Sequence, residues 1–388
     1  MRSYRRLLPL VLATTATQAS IVVLAPLLVE IGRDLGASVG AVGAARSLLA
    51  GVAVAVSLAI GPLIDRIGIS PLIVSGAALA LLGAALTASA PSLGLFYAAH
   101  AVTGAGVACL LSAGFAGVTA YFDSEHAAWA IGYVVGTQSL AWIVGNPVIG
   151  LLAESGSWRL GYLVPGTICA AALVAGLLAP RGRLAGGSEL EGGTRAGLAA
   201  VWGDRSSRRW AISELVAYAA WTAELTYAGA FYIESYDVGV AAVGVLLSVG
   251  SLVFLAVSLN TERLTSRYPR RPLIVVASLA MGVILVPILN ITPSLWFTLG
   301  LFCVLAMFAA VRTTGSSALG LDQLPDRPGS MMGARTASAQ LGYMIGAGAG
   351  GLVLGLADFG TLGFVLFAGM AASALLVTRV ADPLPDPR

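Results

Sequence analysis

Residues 210–236 read WAISELVAYAAWTAELTYAGAFYIESY. This stretch is long and apolar enough to cross a bilayer, whose hydrocarbon core of about 30 Å takes about 20 helical residues. It also carries Glu214 and Glu224 well inside its span. An ionised carboxylate in hydrocarbon costs roughly 2.5–3.5 kcal/mol on the mildest scale, so an intramembrane acid is by default a functional residue. Positions 217, 221, 224, 228 and 231 fall on one stripe of a helix. Trp221, Glu224 and Phe231 then share a face, with Tyr218 and Tyr227 on its borders. A carboxylate among aromatic faces suits a proton or an organic cation. The competing reading is a helix whose acids are paired and whose aromatics are packing.

The chain around this stretch is of the same kind. Of its 388 residues 57% are hydrophobic and only 11% charged, whereas a soluble domain is about a quarter charged. The fold class is therefore an all-α polytopic membrane protein. A net charge of +3 is too small to point to nucleic acid. The three cysteines, Cys109, Cys169 and Cys303, lie in separate apolar segments without metal-ligand spacing and read as small buried side chains. The opening MRSYRRLLPLVLATTATQAS has the basic start of a signal peptide. Its apolar run continues to about Val29 without a clear cleavage site, which reads as a retained first span. There is no H-E-x-x-H zinc pair and no nucleotide-binding loop. The sequence thus predicts no enzyme, no cofactor and no metal, and an energy source in a gradient rather than bound ATP.

Stretches of spanning length recur at 7–30, 40–63, 71–90, 93–121, 127–152 and 160–180, and again at 209–233, 239–260, 272–291, 294–320, 329–357 and 361–379. They predict twelve spans, one to twelve in chain order. The Gly-rich, charged segment 181–208 reads as a linker between two six-span bundles, 1–180 and 209–388. Every basic residue is arginine. On one side lie Arg2, Arg5, Arg6, Arg66, those of the linker, then Arg263, Arg267, Arg270, Arg271, Arg327, Arg379 and Arg388; the other side has Arg33 and Arg159. The positive-inside rule puts both termini and the linker in the cytoplasm of a cell-membrane protein. Pro71 and Pro272, Gly132 and Gly333, Gly145 and Gly346, and Gly150 and Gly351 share one offset of 201, and Asp65-Arg66 is echoed by Glu262-Arg263. A duplicated bundle is what alternating access around a central site needs.

Between spans two and three stands Gly61-Pro-Leu-Ile-Asp65-Arg66-Ile-Gly68-Ile-Ser70. It resembles the G-x-x-x-D-R-x-G-R-[RK] signature of the major facilitator superfamily, with Ile69 and Ser70 in place of the closing basic residues. The resemblance implies that Asp65 latches onto the start of span eleven, where Arg335 lies, and that Arg66 meets an acid at the inner end of span four, for which Asp123 fits. Span four opens His100-Ala-Val-Thr-Gly104-Ala-Gly106, where the family has R-x-x-x-G-x-G. Histidine titrates near neutrality and arginine does not, so His100 is either a proton carrier or a hydrogen-bonded helix histidine. Span five holds Gly136, Gln138, Trp142, Gly145, Asn146, Pro147 and Gly150. It resembles, in degenerate form, the glycine-and-proline motif of the family's proton-coupled exporters. The resemblance also implies one chain as the working unit and spans one, four, seven and ten as the cavity lining.

Those spans hold the polar residues Thr14, Thr17 and Gln18, then His100, Glu214 and Glu224, and Arg312. Helical rise places Glu214 about 8 Å and Arg312 about 12 Å from the inner ends of spans seven and ten. That predicts a Glu214–Arg312 ion pair, which satisfies two otherwise costly charges. Glu224 and His100 fall at similar depth from opposite halves. A carboxyl withdrawn from water favours its neutral form, and a cationic substrate would expel its proton. Arg46, at comparable depth, could instead hold Glu224 ionised or serve an anion. Glu224 and His100 are thus the proton-coupling candidates. Trp221, Glu224, Tyr218, Tyr227, Phe231, Gln18, Gln138, Asn146 and Trp142 are the candidates for a small-molecule substrate. The leading expectation is a proton antiporter exporting a hydrophobic cationic or neutral organic compound. The other is a porter for an anionic metabolite or lipid held by Arg46 and Arg312.

Overall fold

The computed structural model describes residues 2–179, 193–261 and 267–382. The linker residues 181–192, the Glu262-Arg263 echo, and the surroundings of Gly61 and of the Asp65 side chain lie outside the described residues. The described chain is helical throughout. Ten helices are long and apolar enough to cross a membrane, or eleven if Arg5–Val22 and Leu24–Leu35 form one span bent by 43°. Twelve were expected, and the difference is span seven. Its helix, Arg205–Tyr236, has 32 residues and so rises about 48 Å, but its arginines, Glu214, Glu224 and Glu234 dilute its apolar character.

The breaks in the helices have local causes. Pro26 has no N–H for the Val22 carbonyl, and the first span breaks between Val22 and Leu24. Pro147 likewise leaves the Ile143 carbonyl without its helical donor, and span five breaks into Ser124–Ile143 and Gly145–Glu154. Gly68 joins Val39–Ile67 to Ile69–Ala88 at φ 85°, a left-handed conformation that glycine adopts without strain. The next position but one, Ser70, turns inward and donates to the Gly176 carbonyl at 2.7 Å.

The chain forms two compact units. One comprises residues 1–188 with 228–248, the other 189–227 with 249–388. The first has a core of Leu10, Ile69, Ile73, Ala80, Leu110 and Cys169. Its segment 228–248 seats on both broken spans. A Cβ at Gly229 would collide with the Ala25 carbonyl, and one at Gly244 with the Asn146 carbonyl. In span four, Gly104 lies against the backbone of Leu49 and Gly106 against Ala80. The second unit is built on Trp210, Ile274, Leu319, Met331 and Val377, joined by Val201 of the helix Gly193–Gly203. Within it span eleven, Pro328–Leu356, presents Gly342, Gly346 and Gly350 to Leu215, Ala219 and Tyr227 of span seven. Small residues one turn apart let two helices approach where apolar burial against lipid gives little drive.

Candidate functional site

Span seven brings two acids into the second unit, and they have different surroundings. Glu214 is fully buried; its Oε1 accepts from Arg312 Nη2 at 2.7 Å and from Ser316 Oγ at 2.9 Å. Arg312 also donates to the Ser213 carbonyl at 3.4 Å and to Ser373 Oγ at 3.3 Å. Arg335 lies on the other side, with Nε 3.6 Å from Glu214 Oε2 and Nη2 donating to the Tyr218 hydroxyl at 2.6 Å. One carboxylate thus faces two guanidiniums. Ten residues further on, Glu224 is buried and its Oε2 has no hydrogen-bond partner among the described residues. Glu214 and Glu224 are the two buried acids among the described residues.

The aromatic residues divide. Trp221 is half-buried. Tyr218 is buried, with its hydroxyl taken by Arg335 and its ring edge-on to Tyr343 at 5.6 Å. The buried Tyr227 donates to the Ala347 carbonyl at 2.7 Å, which ties span seven to span eleven. Phe231 belongs to the first unit and stacks edge-on with Tyr232 and Tyr236.

In the first unit three of the expected substrate residues meet. Trp142 Nε1 donates to Gln18 Oε1 at 2.9 Å, and Gln18 Nε2 donates to Gln138 Oε1 at 3.1 Å. All three are half-buried. Asn146 is fully buried and bonded to the Trp142 carbonyl of its own helix at 3.0 Å; its Oδ1 has no partner among the described residues. His100 is buried beside Phe96, and its Nδ1 lies 2.9 Å from the Phe96 carbonyl. A carbonyl only accepts, so Nδ1 carries the hydrogen. Arg46 is also buried in this unit.

Of the expected latch residues, Arg66, Asp123 and Arg335 have described side chains. Asp123 caps the helix Ser124–Ile143 and binds His126 through both the backbone N–H, 3.1 Å, and Nδ1, 2.7 Å. Those bonds hold its carboxyl below the usual range. Asp123 thus has its described bonds within the first turn of its own helix, where a cap residue finds donors close by in the chain. Arg66 is exposed. Arg335 has its described partners in Glu214 and Tyr218. Of the span-five motif, Gly150 fits against the Val240 carbonyl, Gly145 is in ordinary contact with Val22, and Gly136 has open space.

Sequence reasoning missed Ser316, Ser373 and Ser248. Ser316 stands one turn after Arg312, a legible signal for a shared partner. Ser248 donates to the freed Ile143 carbonyl at 2.8 Å, and nothing in the chain pattern pairs those two positions.

Comparison with known proteins places this geometry in a wider set. The family model described as Major Facilitator Superfamily matches residues 10–289 and 215–388. Over 155 residues the chain is 26% identical to Multidrug resistance protein MdtM of Escherichia coli O157:H7. That match covers 40% of this chain and 38% of the relative, well under half of either. Among solved structures, the nucleoside transporter NupG, in a point-mutant form, superposes with a TM-score of 0.79 at 14% identity over 97% of this chain and 98% of its own. A bacterial homologue of the human lysosomal transporter Spinster, inward-facing and unoccupied, gives 0.70 at 16% over 97% and 94%. At these identities the likeness is one of fold.

Proposed function

Because the chain belongs to the Major Facilitator Superfamily, and is thus a multi-pass membrane transporter of a small molecule, we propose that it exports a hydrophobic cationic or neutral organic compound in exchange for protons. The observation that carries this reading is Glu224: a buried carboxyl whose Oε2 finds no partner among the described residues. A carboxylate left so would be expensive in a dry site. It is tolerated as the neutral acid, or as an anion facing a bound cation.

The exchange follows from that alternative. With no substrate, Glu224 holds a proton. A cation arriving beside it stabilises the carboxylate, and the proton leaves to water on the side then open. When the site opens to the other side, a proton returns to Glu224 and releases the cation. No other coupling device is needed, because proton and cargo compete for one carboxylate. Trp221, half-buried three residues away, supplies an aromatic face for the apolar body or the charge of the substrate. His100 assists in this reading: Nδ1 is spent on Phe96, and Nε2 is the atom left to exchange protons. The half-buried Gln18–Gln138–Trp142 cluster offers polar contacts. Transport proceeds by alternating access, one chain sufficing, with both termini on the cytoplasmic side of the cell membrane. The partial relative is named a multidrug resistance protein, and a drug-like organic substrate is in keeping with that name. The anion-porter alternative loses one contact, since Arg312 is committed to Glu214 at 2.7 Å.

The test uses purified protein in liposomes with an imposed pH gradient and a fluorescent lipophilic cation inside or outside. The wild type moves the dye against its gradient when the proton gradient is applied. Glu224→Gln carries a permanently neutral amide and loses that response. A variant that still couples dye movement to the proton gradient overturns the mechanism.

A further inference from the structure

The buried charges of the second unit do not balance locally around Glu214. Its Oε1 is saturated by Arg312 and Ser316, at 2.7 and 2.9 Å. Arg335 approaches only Oε2, from 3.6 Å, beyond good hydrogen-bond length. The two arginines also differ in access. The Arg312 side chain is 3% exposed and Glu214 0%, whereas Arg335 is 24% exposed. Arg312 is therefore the structural partner, enclosed and fixed, and Arg335 is a surplus cation with an open edge. Three features hold Arg335 in place: the 2.6 Å bond from Nη2 to the Tyr218 hydroxyl, the guanidinium seated 5.7 Å from the Tyr218 ring centroid, and Tyr343 edge-on behind that ring. The other ionisable groups that these contacts bring to it, Tyr218 and Tyr343, are ordinarily neutral, so among the described residues Glu214 alone offsets its charge.

We propose that Arg335, with Tyr218, is a binding subsite for the carboxylate group of an organic ligand. With one Nη2–H on Tyr218 and Nε buried beside Glu214, the guanidinium keeps Nη1–H and the second Nη2–H side by side at its end for a planar carboxylate, a fork that lysine does not reproduce. The surplus positive charge beside Glu214 supplies the attraction, and burial strengthens it by lowering the local dielectric. In a ligand that is also cationic, the ammonium end would go to Glu224, six residues along span seven from Tyr218 and so about 9 Å away in helical rise. The substrate class this adds is the amphoteric organic molecule. That extension alone rests on the transport reading above; the subsite itself rests on Arg335.

The probe is benzoate, with benzamide as its neutral isostere, and the readout is the melting temperature of the purified full chain in detergent, since a ligand that binds the folded state raises it. Benzoate is expected to give a saturable rise that benzamide does not. Arg335→Gln should lose the rise. Arg335→Lys, which keeps the charge but not the fork, should weaken it, and serves if the glutamine variant does not fold. The same shift with benzamide, no benzoate shift in the wild type, or an unchanged shift in the folded variants would overturn the proposal. Glu224→Gln is expected to keep the benzoate shift, so loss of proton exchange and loss of the carboxylate subsite are read separately.

Discussion

Glu214 and Glu224 are ten residues apart on one helix, and their neighbours decide different fates for them. Glu214 is neutralised chiefly by Arg312 at 2.7 Å; removing Arg312 leaves the buried carboxylate only Arg335, 3.6 Å from its other oxygen, at a cost of up to about 3–5 kcal/mol. Arg312→Met should therefore lower the melting temperature of the solubilised protein sharply. Glu214→Leu with Arg312→Met should recover part of the loss, because an apolar pair removes both desolvation penalties while Arg335, partly exposed, loses its neighbouring carboxylate. A double variant no better than the single one would contradict this account. Depth counting from helical rise is enough to place Glu214 opposite Arg312. It does not show that Arg335 joins them, because that needs the close approach of spans seven and eleven, which three glycines at four-residue spacing permit. Nor does it foresee His126 taking Asp123. The capping pattern is there to be read, but the family resemblance points to Arg66 instead.

Helices here break where proline removes a donor and hold together where another segment supplies one. Ser248 Oγ donates to the Ile143 carbonyl that Pro147 orphans, at 2.8 Å. Ser248→Ala leaves that half-buried acceptor short of a donor, a loss of about 0.5–1.5 kcal/mol. In a Pro147→Ala background the backbone N–H returns to Ile143, and the same serine change should cost less. Equal costs in the two backgrounds would mean that the hydroxyl serves some other purpose. Proline positions are plain in the chain, whereas the rescuing serine lies about a hundred residues away and carries no local signal. The repeat glycines teach a similar lesson. A side-chain carbon added at Gly333 would meet nothing within 4 Å, while one at Gly346 would collide with the Ala219 carbonyl. Gly333→Ala should be neutral or stabilising by up to about 1 kcal/mol. Gly346→Ala forces two helices apart and should cost about 1–3 kcal/mol, read as thermal stability in detergent. Of the pairs that share the offset of 201, Gly132 and Gly333 both have open space, whereas Gly145 is in ordinary contact and its counterpart Gly346 is tightly packed, so the offset does not by itself fix a packing role.

At the scale of the whole molecule, composition and the recurrence of apolar stretches are sufficient for a helical, multi-pass membrane fold, because lipid leaves the backbone no alternative but to satisfy itself. Span seven departs from that rule by carrying the acids, and the same departure makes it the helix on which function is argued. If Glu224 exchanges a proton for cargo, the exchange must be visible without any membrane or gradient. The most direct measurement is proton release on ligand binding: purified protein in weakly buffered detergent solution, a pH indicator, and a lipophilic organic cation added to saturation. The account predicts about one proton released per protein in the wild type and none in Glu224→Gln, which should still bind the cation more weakly. Cation binding by the wild type without proton release, or release that persists in Glu224→Gln, would contradict it.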